Sequence, residues 1–228
     1  IVNKDFLSSF DVSVNELLHI FDLASNFKNN NLKLNFQNKV LGLVFDKPST
    51  RTRVSFQVAM MRLGGNSIEL NPQISQLGRG ELIKDTARVL SRYCDVIAVR
   101  TSKHEYLEEY SNWSNIPVIN ALSDLEHPCQ VLADYLTIKE EFGEIRNKVI
   151  TYIGDGNNVA NSLMICGSML GAKVRIACPK GFEPDQSIID RIRSNDLFKG
   201  DIRITDDPFE ASENANVLYT DVWASMGQ

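Results

Sequence analysis

No stretch of this chain is apolar for long enough to cross a bilayer, which takes about 20 consecutive apolar residues. Nor does the chain open with the charged, apolar and small-residue layout of a secretion signal. Cysteine is sparse and scattered. Cys94, Cys129, Cys166 and Cys178 include no C-x-x-C pair, and three of them lie in apolar surroundings. That spacing excludes a disulfide framework or a zinc site and points to reduced thiols in a cytoplasmic protein. Positive charge is in the minority, with 24 Lys and Arg against 29 Asp and Glu for a net charge of −5. A nucleic acid or an anionic membrane is therefore not an expected partner. Short internal repeats and low-complexity tracts are absent as well. What remains is an ordinary globular composition, 43% hydrophobic and 23% charged over 228 residues, enough for one large domain or two small ones.

Against this acidic background one segment stands out. Ser49-Thr50-Arg51-Thr52-Arg53 lies between the apolar run Val40–Phe45 and a helical pattern that begins at Val54. A helix N-terminus offers unpaired N–H groups and the positive end of the helix dipole, both suited to phosphate. Arginine adds forked, charge-assisted hydrogen bonds to such an anion. Pro48 stiffens the entry and Lys47 adds charge. The competing reading is a capped helix with solvated arginines. Three hydroxyls and two guanidiniums in five residues exceed what capping requires, so the segment reads as an anion site.

The rest of the chain alternates strands with helices. Ser13 and Glu16 form a capping box before Leu17, Leu18, Phe21 and Ala24 at helical spacing. Further strands are expected at Ser67–Leu70, Val96–Val99 and Pro117–Ala121, with helices to Leu63, over Leu82–Tyr93 and over Glu105–Trp113. Asn71–Gly80 reads as a mobile loop. Pro128 suits the first position of a helix that runs to Gly143. From Lys148 the rhythm repeats: strand Val149–Ile153, helix Val159–Leu170, strand Val174–Cys178, helix Ile188–Ser194, then strands near Ile202–Ile204 and Val217–Tyr219. The expected fold is α/β, with two domains, each a parallel sheet flanked by helices. The charged stretch Glu140–Lys148 marks the boundary, giving domains of 1–142 and 143–228. In such sheets ligands bind beyond the carboxyl ends of the strands. Ser49, Arg100, His127, Asn158 and Asp221 all fall there.

Each of these positions also has a plainer reading. Taken alone, Arg100 also reads as an arginine snorkelling at a sheet edge. His127 before Pro128 also reads as a helix cap, though Gln130 three residues on shares its helix start. Asp221 ends the strand Asn216–Thr220, where a carboxylate serves either as a cap or as the counter-charge for a cationic substrate. Gly154-Asp155-Gly156-Asn157-Asn158-Val159 invites a dinucleotide-binding reading. Val159 occupies the third glycine position, however, and the next strand ends in Cys178-Pro179 with no acidic residue for a ribose.

Three ordered motifs resemble the aspartate and ornithine carbamoyltransferases. Phe45-Asp46-Lys47-Pro48-Ser49-Thr50-Arg51-Thr52-Arg53 resembles the family's carbamoyl phosphate signature, and His127-Pro128-Cys129-Gln130 its His-Pro-x-Gln motif. Asp221-Val222-Trp223-Ala224-Ser225-Met226-Gly227 is similar to the ornithine-side motif. The segment Gly80–Leu90 and Gly154-Asp155-Gly156-Asn157-Asn158 also resemble the ornithine enzymes. The resemblance implies transfer of a carbamoyl group from carbamoyl phosphate to the δ-amino group of L-ornithine, with no cofactor and no metal. It implies an active site in the interdomain cleft of a cytoplasmic homotrimer.

By that resemblance Ser49, Thr50, Arg51 and Thr52 hold the phosphate. Arg51, Thr52, Arg100 and His127 polarise the carbamoyl oxygen, which makes Arg51, Arg100 and His127 the expected catalytic residues. Gln130 accepts from the carbamoyl NH2, and Asn158, Asp221, Ser225 and Met226 orient ornithine. No general base is evident, and the leaving phosphate is expected to take the proton. The family's chain continues past the Ser-Met-Gly loop to a His-Cys-Leu-Pro segment, whereas this sequence stops at Gln228, so both ends read as cut. The alternatives are a carbamoyltransferase for another amine or amino acid, or a non-catalytic anion-binding relative. A nicotinamide oxidoreductase fails on the defective glycine pattern.

Overall fold

The computed structural model describes residues 4–71 and 80–221. Its contacts divide the chain into two compact units, Ile1–Asp124 and Leu125–Gln228.

In the first unit, helix α1 (Val14–Lys28) begins at the expected capping box. The Glu16 N–H donates to Ser13 Oγ at 3.2 Å, and the Ser13 N–H donates to Glu16 Oε2 at 2.8 Å. Leu17 and Phe21 are buried, whereas Leu18, expected on the same face, is 38% exposed. Strands β1 (Val40–Phe45), β2 (Asn66–Leu70), β3 (Val96–Arg100) and β4 (Val118–Leu122) alternate with helices α2 (Arg51–Arg62), α3 (Ile83–Tyr93) and α4 (His104–Trp113). All pairings are parallel, in the order β2-β1-β3-β4.

The period-2 alternation of β1 and β3 feeds two apolar clusters. Val44, Ile97 and Val99 join Ala87, Leu90, Leu107 and Tyr110, while Leu41, Leu43, Phe45 and Ala98 join Met60. Both faces of the sheet are therefore covered. Asp95 ties the start of β3 to that of β1, accepting from the Val40 N–H at 2.9 Å and from Lys39 Nζ at 2.7 Å.

The second unit opens with helix α5 (Pro128–Phe142), which Gly143 closes at φ 77°, a left-handed position that favours glycine. Strands β5 (Val149–Ile153), β6 (Lys173–Ala177), β7 (Asp201–Thr205) and β8 (Val217–Thr220) alternate with helices α6 (Asn158–Met169), α7 (Gln186–Arg193) and α8 (Pro208–Ser212). The sheet is again parallel, in the order β7-β6-β5-β8. Every residue of α6 from Val159 to Met169 is buried, and the buried Tyr135 hydroxyl on α5 donates to the Leu163 carbonyl of α6 at 2.8 Å. Such a buried bond contributes about 1 kcal/mol net.

Two short elements were not anticipated, the 3-10 turn Ser9–Asp11 and α8. Each spans less than the two helical turns that an apolar period needs to declare itself. Helix α2 also begins three residues before the expected Val54, which puts Arg51, Thr52 and Arg53 in its first turn instead of a loop.

Candidate active site

Strand order locates the ligand edge of each unit. In the first sheet β1 leads to β2 on one side and has β3 on the other, so the chain reverses direction between β1 and β3. A crevice opens at such a point beyond the carboxyl ends of the strands. The residues there are the 46–50 turn and the start of α2 after β1, and Arg100 at the end of β3. Phe45 and Arg100 are partners in the register. Two bonds brace this edge: the Asp46 N–H donates to the Arg100 carbonyl at 3.0 Å, and the buried Thr101 Oγ1 donates to Asp46 Oδ2 at 2.7 Å.

The first turn of α2 holds Arg51 and Arg53 and no acidic residue, the reverse of what the helix dipole favours. Thr50 stands at the N-cap without making a side-chain cap bond. Hydroxyl and cation at this helix start are thus not explained by the stability of the helix. Arg53 is committed elsewhere: its Nη2 pairs with Glu69 Oε1 on β2 at 3.1 Å. Arg51 faces Arg100, whose pKa is lowered by burial and then by the Arg51 charge. Two guanidiniums that repel each other are both relieved by a shared anion, which suits this edge to phosphate. Ser49, Thr50, Arg51, Thr52 and Arg100 are therefore brought to one place in the first unit.

In the second unit the reversal falls between β5 and β8. Ile153 and Thr220 are partners in the register, so the 154–158 loop and Asp221 share the ligand edge. Asn157 joins them. Its Oδ1 caps α6 by accepting from the Val159 N–H at 2.9 Å and the Ala160 N–H at 3.2 Å, and its Nδ2 donates to Asp221 Oδ2 at 2.9 Å. Asn158 is the first helical residue beside it. The Tyr152 hydroxyl lies close enough to this group that burial, followed by the Asp221 charge, pushes its pKa up.

His127 is the N-cap residue of α5, and its side chain makes no cap bond. Its backbone N–H donates to Ser162 Oγ at 3.0 Å, and that hydroxyl donates to Glu126 Oε2 at 3.1 Å; Glu126 and Ser162 are buried. Gln130 follows in the first turn of α5, exposed, with its Nε2 donating to Asp134 Oδ1 at 2.9 Å. Ser225, Met226 and Trp223 lie outside the described residues, as do positions 72–79 of the Asn71–Gly80 loop.

Comparison with known proteins identifies the family. The sequence model of the aspartate/ornithine carbamoyltransferase carbamoyl-P binding domain matches residues 4–140, and that of the Asp/Orn binding domain matches residues 146–228. The chain belongs to the aspartate/ornithine carbamoyltransferase family. An ornithine carbamoyltransferase of Prochlorococcus marinus (strain MIT 9312) is 64% identical over 228 residues, covering 100% of this chain and 74% of the relative. The ornithine carbamoyltransferase structure from Pyrococcus furiosus is 48% identical with a TM-score of 0.93, covering 99% of this chain and 74% of that one. The anabolic ornithine carbamoyltransferase structure from Campylobacter jejuni is 40% identical with a TM-score of 0.92, covering 98% and 74%. The fold of this family member is the expected one, two parallel four-stranded sheets flanked by helices.

Sequence reasoning singled out Asn158 and passed over Asn157, although an Asn just ahead of an apolar helix is a capping signal. Thr101, Glu126 and Ser162 were also passed over. Ser162 carries a signal in hindsight, as a hydroxyl within a helix that is buried on every side.

Proposed function

We propose that this protein transfers the carbamoyl group of carbamoyl phosphate to the δ-amino group of L-ornithine, giving L-citrulline and phosphate. The observation that carries the reading is the opposite charge of the ligand edges at the two reversal points, each taken within its own unit. Arg51 and Arg100 stand at the ligand edge of the first sheet, and Asp221 at that of the second. A dianionic donor and a cationic acceptor are the substrates such edges suit. Aspartate as acceptor would call for basic groups where Asp221 stands.

In this reading Ser49, Thr50, Arg51 and Thr52 bind the phosphate. Arg51, Thr52, Arg100 and His127 stabilise negative charge on the carbamoyl oxygen as the neutral amine attacks carbon and the C–O bond to phosphate breaks. One preorganised donor of this kind lowers the barrier by about 3 kcal/mol. Gln130 accepts from the carbamoyl NH2, and Asn158, Asp221, Ser225 and Met226 orient ornithine. The amine loses a proton, which the departing phosphate takes up. Nucleophile and leaving group both come from the substrates, so no cofactor enters. We read residues 1–142 as the carbamoyl phosphate-binding domain and 143–228 as the ornithine-binding domain, which counts α5 with the first domain although its contacts group it with the second compact unit.

We further read the protein as a cytoplasmic homotrimer serving arginine biosynthesis. An apolar groove beside Thr50 and Arg51, lined by Phe27, Val54, Val58 and Ala59, supports burial against another copy, with Val54 49% exposed. Among the described residues no helix is long and apolar enough to cross a membrane. The test is citrulline formation by the full-length protein from carbamoyl phosphate and ornithine, with aspartate and putrescine as rival acceptors. Faster carbamoylation of either rival, or none of any acceptor, overturns the reading.

A further inference from the structure

Gln130 lies on the exposed side of the first turn of α5, and a side-chain amide presents two chemically opposite ends. One end donates and the other accepts, and rotation by half a turn exchanges them. Gln130 can accept from a carbamoyl NH2 only with its oxygen turned toward the substrate. Its Nε2 donates to Asp134 Oδ1 at 2.9 Å, four residues along the helix. An ionised carboxylate has no proton to give, so the reversed amide would set oxygen against oxygen there. The contact therefore selects one of the two orientations.

A Gln–Asp pair at this spacing is also an ordinary helix-stabilising contact on a solvated surface. Asp134 is only half exposed on that surface. Its Oδ2 is shut off from solvent, and burial raises its pKa against the opposing effect of the Gln130 hydrogen bond. Burying a carboxylate costs far more than a helical side-chain pair returns. Tyr219 belongs to β8, two residues before Asp221, and its pKa is raised by burial and then by the Asp134 charge, so the carboxylate stands near the strand that ends at the acceptor edge.

We propose that Asp134 is a positioning residue for the reaction: it holds the Gln130 amide by Nε2 so that Oε1 is presented to the carbamoyl NH2. This role rests on the carbamoyl-transfer reading. With Asp134→Asn the new amide can donate as well as accept, and both orientations of Gln130 become available.

The test uses the full-length protein, with citrulline formation measured for wild type, D134N, Q130A and the double variant. D134N is expected to lower kcat about ten-fold while the ornithine KM stays near that of wild type. In the Q130A background D134N is expected to cost nothing further, because its effect passes through Gln130. A role confined to the fold would lower kcat equally in both backgrounds, and that result overturns the proposal, as does a wild-type kcat in D134N. If D134N does not fold, the Gln130 side-chain amide resonances of the wild type, assigned by their loss in Q130A, take over. A downfield-shifted, exchange-protected NH2 supports the bond, and shifts typical of a solvated glutamine overturn it. An inactive wild type overturns the function and this role together. An active wild type with D134N unaltered overturns this role alone.

Discussion

Asn157 and Asp221 are joined by a hydrogen bond of 2.9 Å between Nδ2 and Oδ2, although 64 residues separate them in the chain. The same amide caps α6 through its oxygen. One side chain thus uses both ends, fixing a helix start with one and a carboxylate with the other. Because β5 and β8 are adjacent and in register, the loop after one strand reaches the residue after the other. The orientation of Asp221 is consequently coupled to the integrity of the N-terminus of α6.

That coupling separates two substitutions at Asn157. Asn157→Ala removes both bonds, so the protein should lose about 1 kcal/mol of stability from the cap alone, and the ornithine KM should rise. Asn157→Asp keeps a capping oxygen but sets a second carboxylate against Asp221. It should melt close to wild type and still bind ornithine poorly. Thermal unfolding and saturation kinetics check both. An Asn157→Asp protein with wild-type ornithine saturation would show that Asp221 needs no help from this amide.

Arg51 and Arg53 sit two residues apart on α2 and should behave differently. Arg51 is exposed beside Arg100, whereas Arg53 is held by Glu69. Arg51→Ala should leave the melting temperature unchanged and weaken carbamoyl phosphate binding by about 2–3 kcal/mol, the scale of a charge-assisted hydrogen bond. Arg53→Ala should lower the melting temperature instead. Calorimetric titration with carbamoyl phosphate and thermal denaturation decide between them, and equal affinity in the Arg51 variant and wild type removes Arg51 from the site.

Much of this was legible before any coordinates, and the reason is physical. Strands buried on both faces read as short apolar runs, and the order of runs and helical periods dictates parallel sheets. The positively charged edge of the first sheet was legible because Arg51 violates a local rule, placing positive charge at a helix start. What stayed hidden depends on pairs distant in sequence. No local pattern joins Asn157 to Asp221, Arg53 to Glu69 or Ser162 to Glu126. Gly156 was open to misreading for the same cause. It looks like part of a nucleotide fingerprint, but a Cβ there would lie 2.1 Å from the Pro184 nitrogen, so close backbone packing alone requires glycine.

Stability in acid should report on Asp95. Its carboxyl is held below the usual range, first by the Lys39 hydrogen bond and then by the Val40 N–H. A pKa lower in the folded than in the unfolded state favours folding wherever the group is ionised. The contribution is complete above the unfolded value of about 3.9 and vanishes as pH falls through the lower folded value. Wild type should therefore melt above Asp95→Asn at neutral pH by a constant margin, and the margin should close below about pH 4. The pair is largely exposed, so the margin is modest and shrinks with salt. Parallel melting curves across pH are the measurement, and a margin that persists at pH 2 would contradict the assignment.

Substrate choice should turn on Asp221. It stands just past the carboxyl end of β8 in the second sheet, with Asn157 fixing one of its oxygens and Asn158 opening the helix alongside. Asp221→Asn keeps the shape and removes the charge. The ornithine KM should rise by about ten-fold or more, the loss of a charged contact, while carbamoyl phosphate affinity stays within about two-fold, that site lying on the other sheet. Attack requires the neutral amine, so the rate should climb with pH in both proteins. A carboxylate beside the attacking nitrogen favours its protonated form and raises its pKa. If Asp221 faces that nitrogen, the midpoint of the pH–rate profile moves to lower pH in the variant. If Asp221 holds the α-ammonium group instead, KM rises and the midpoint stays. A variant that saturates with ornithine as wild type does, or a wild type that prefers aspartate, removes Asp221 from acceptor selection and leaves only the carbamoyl phosphate half of the site.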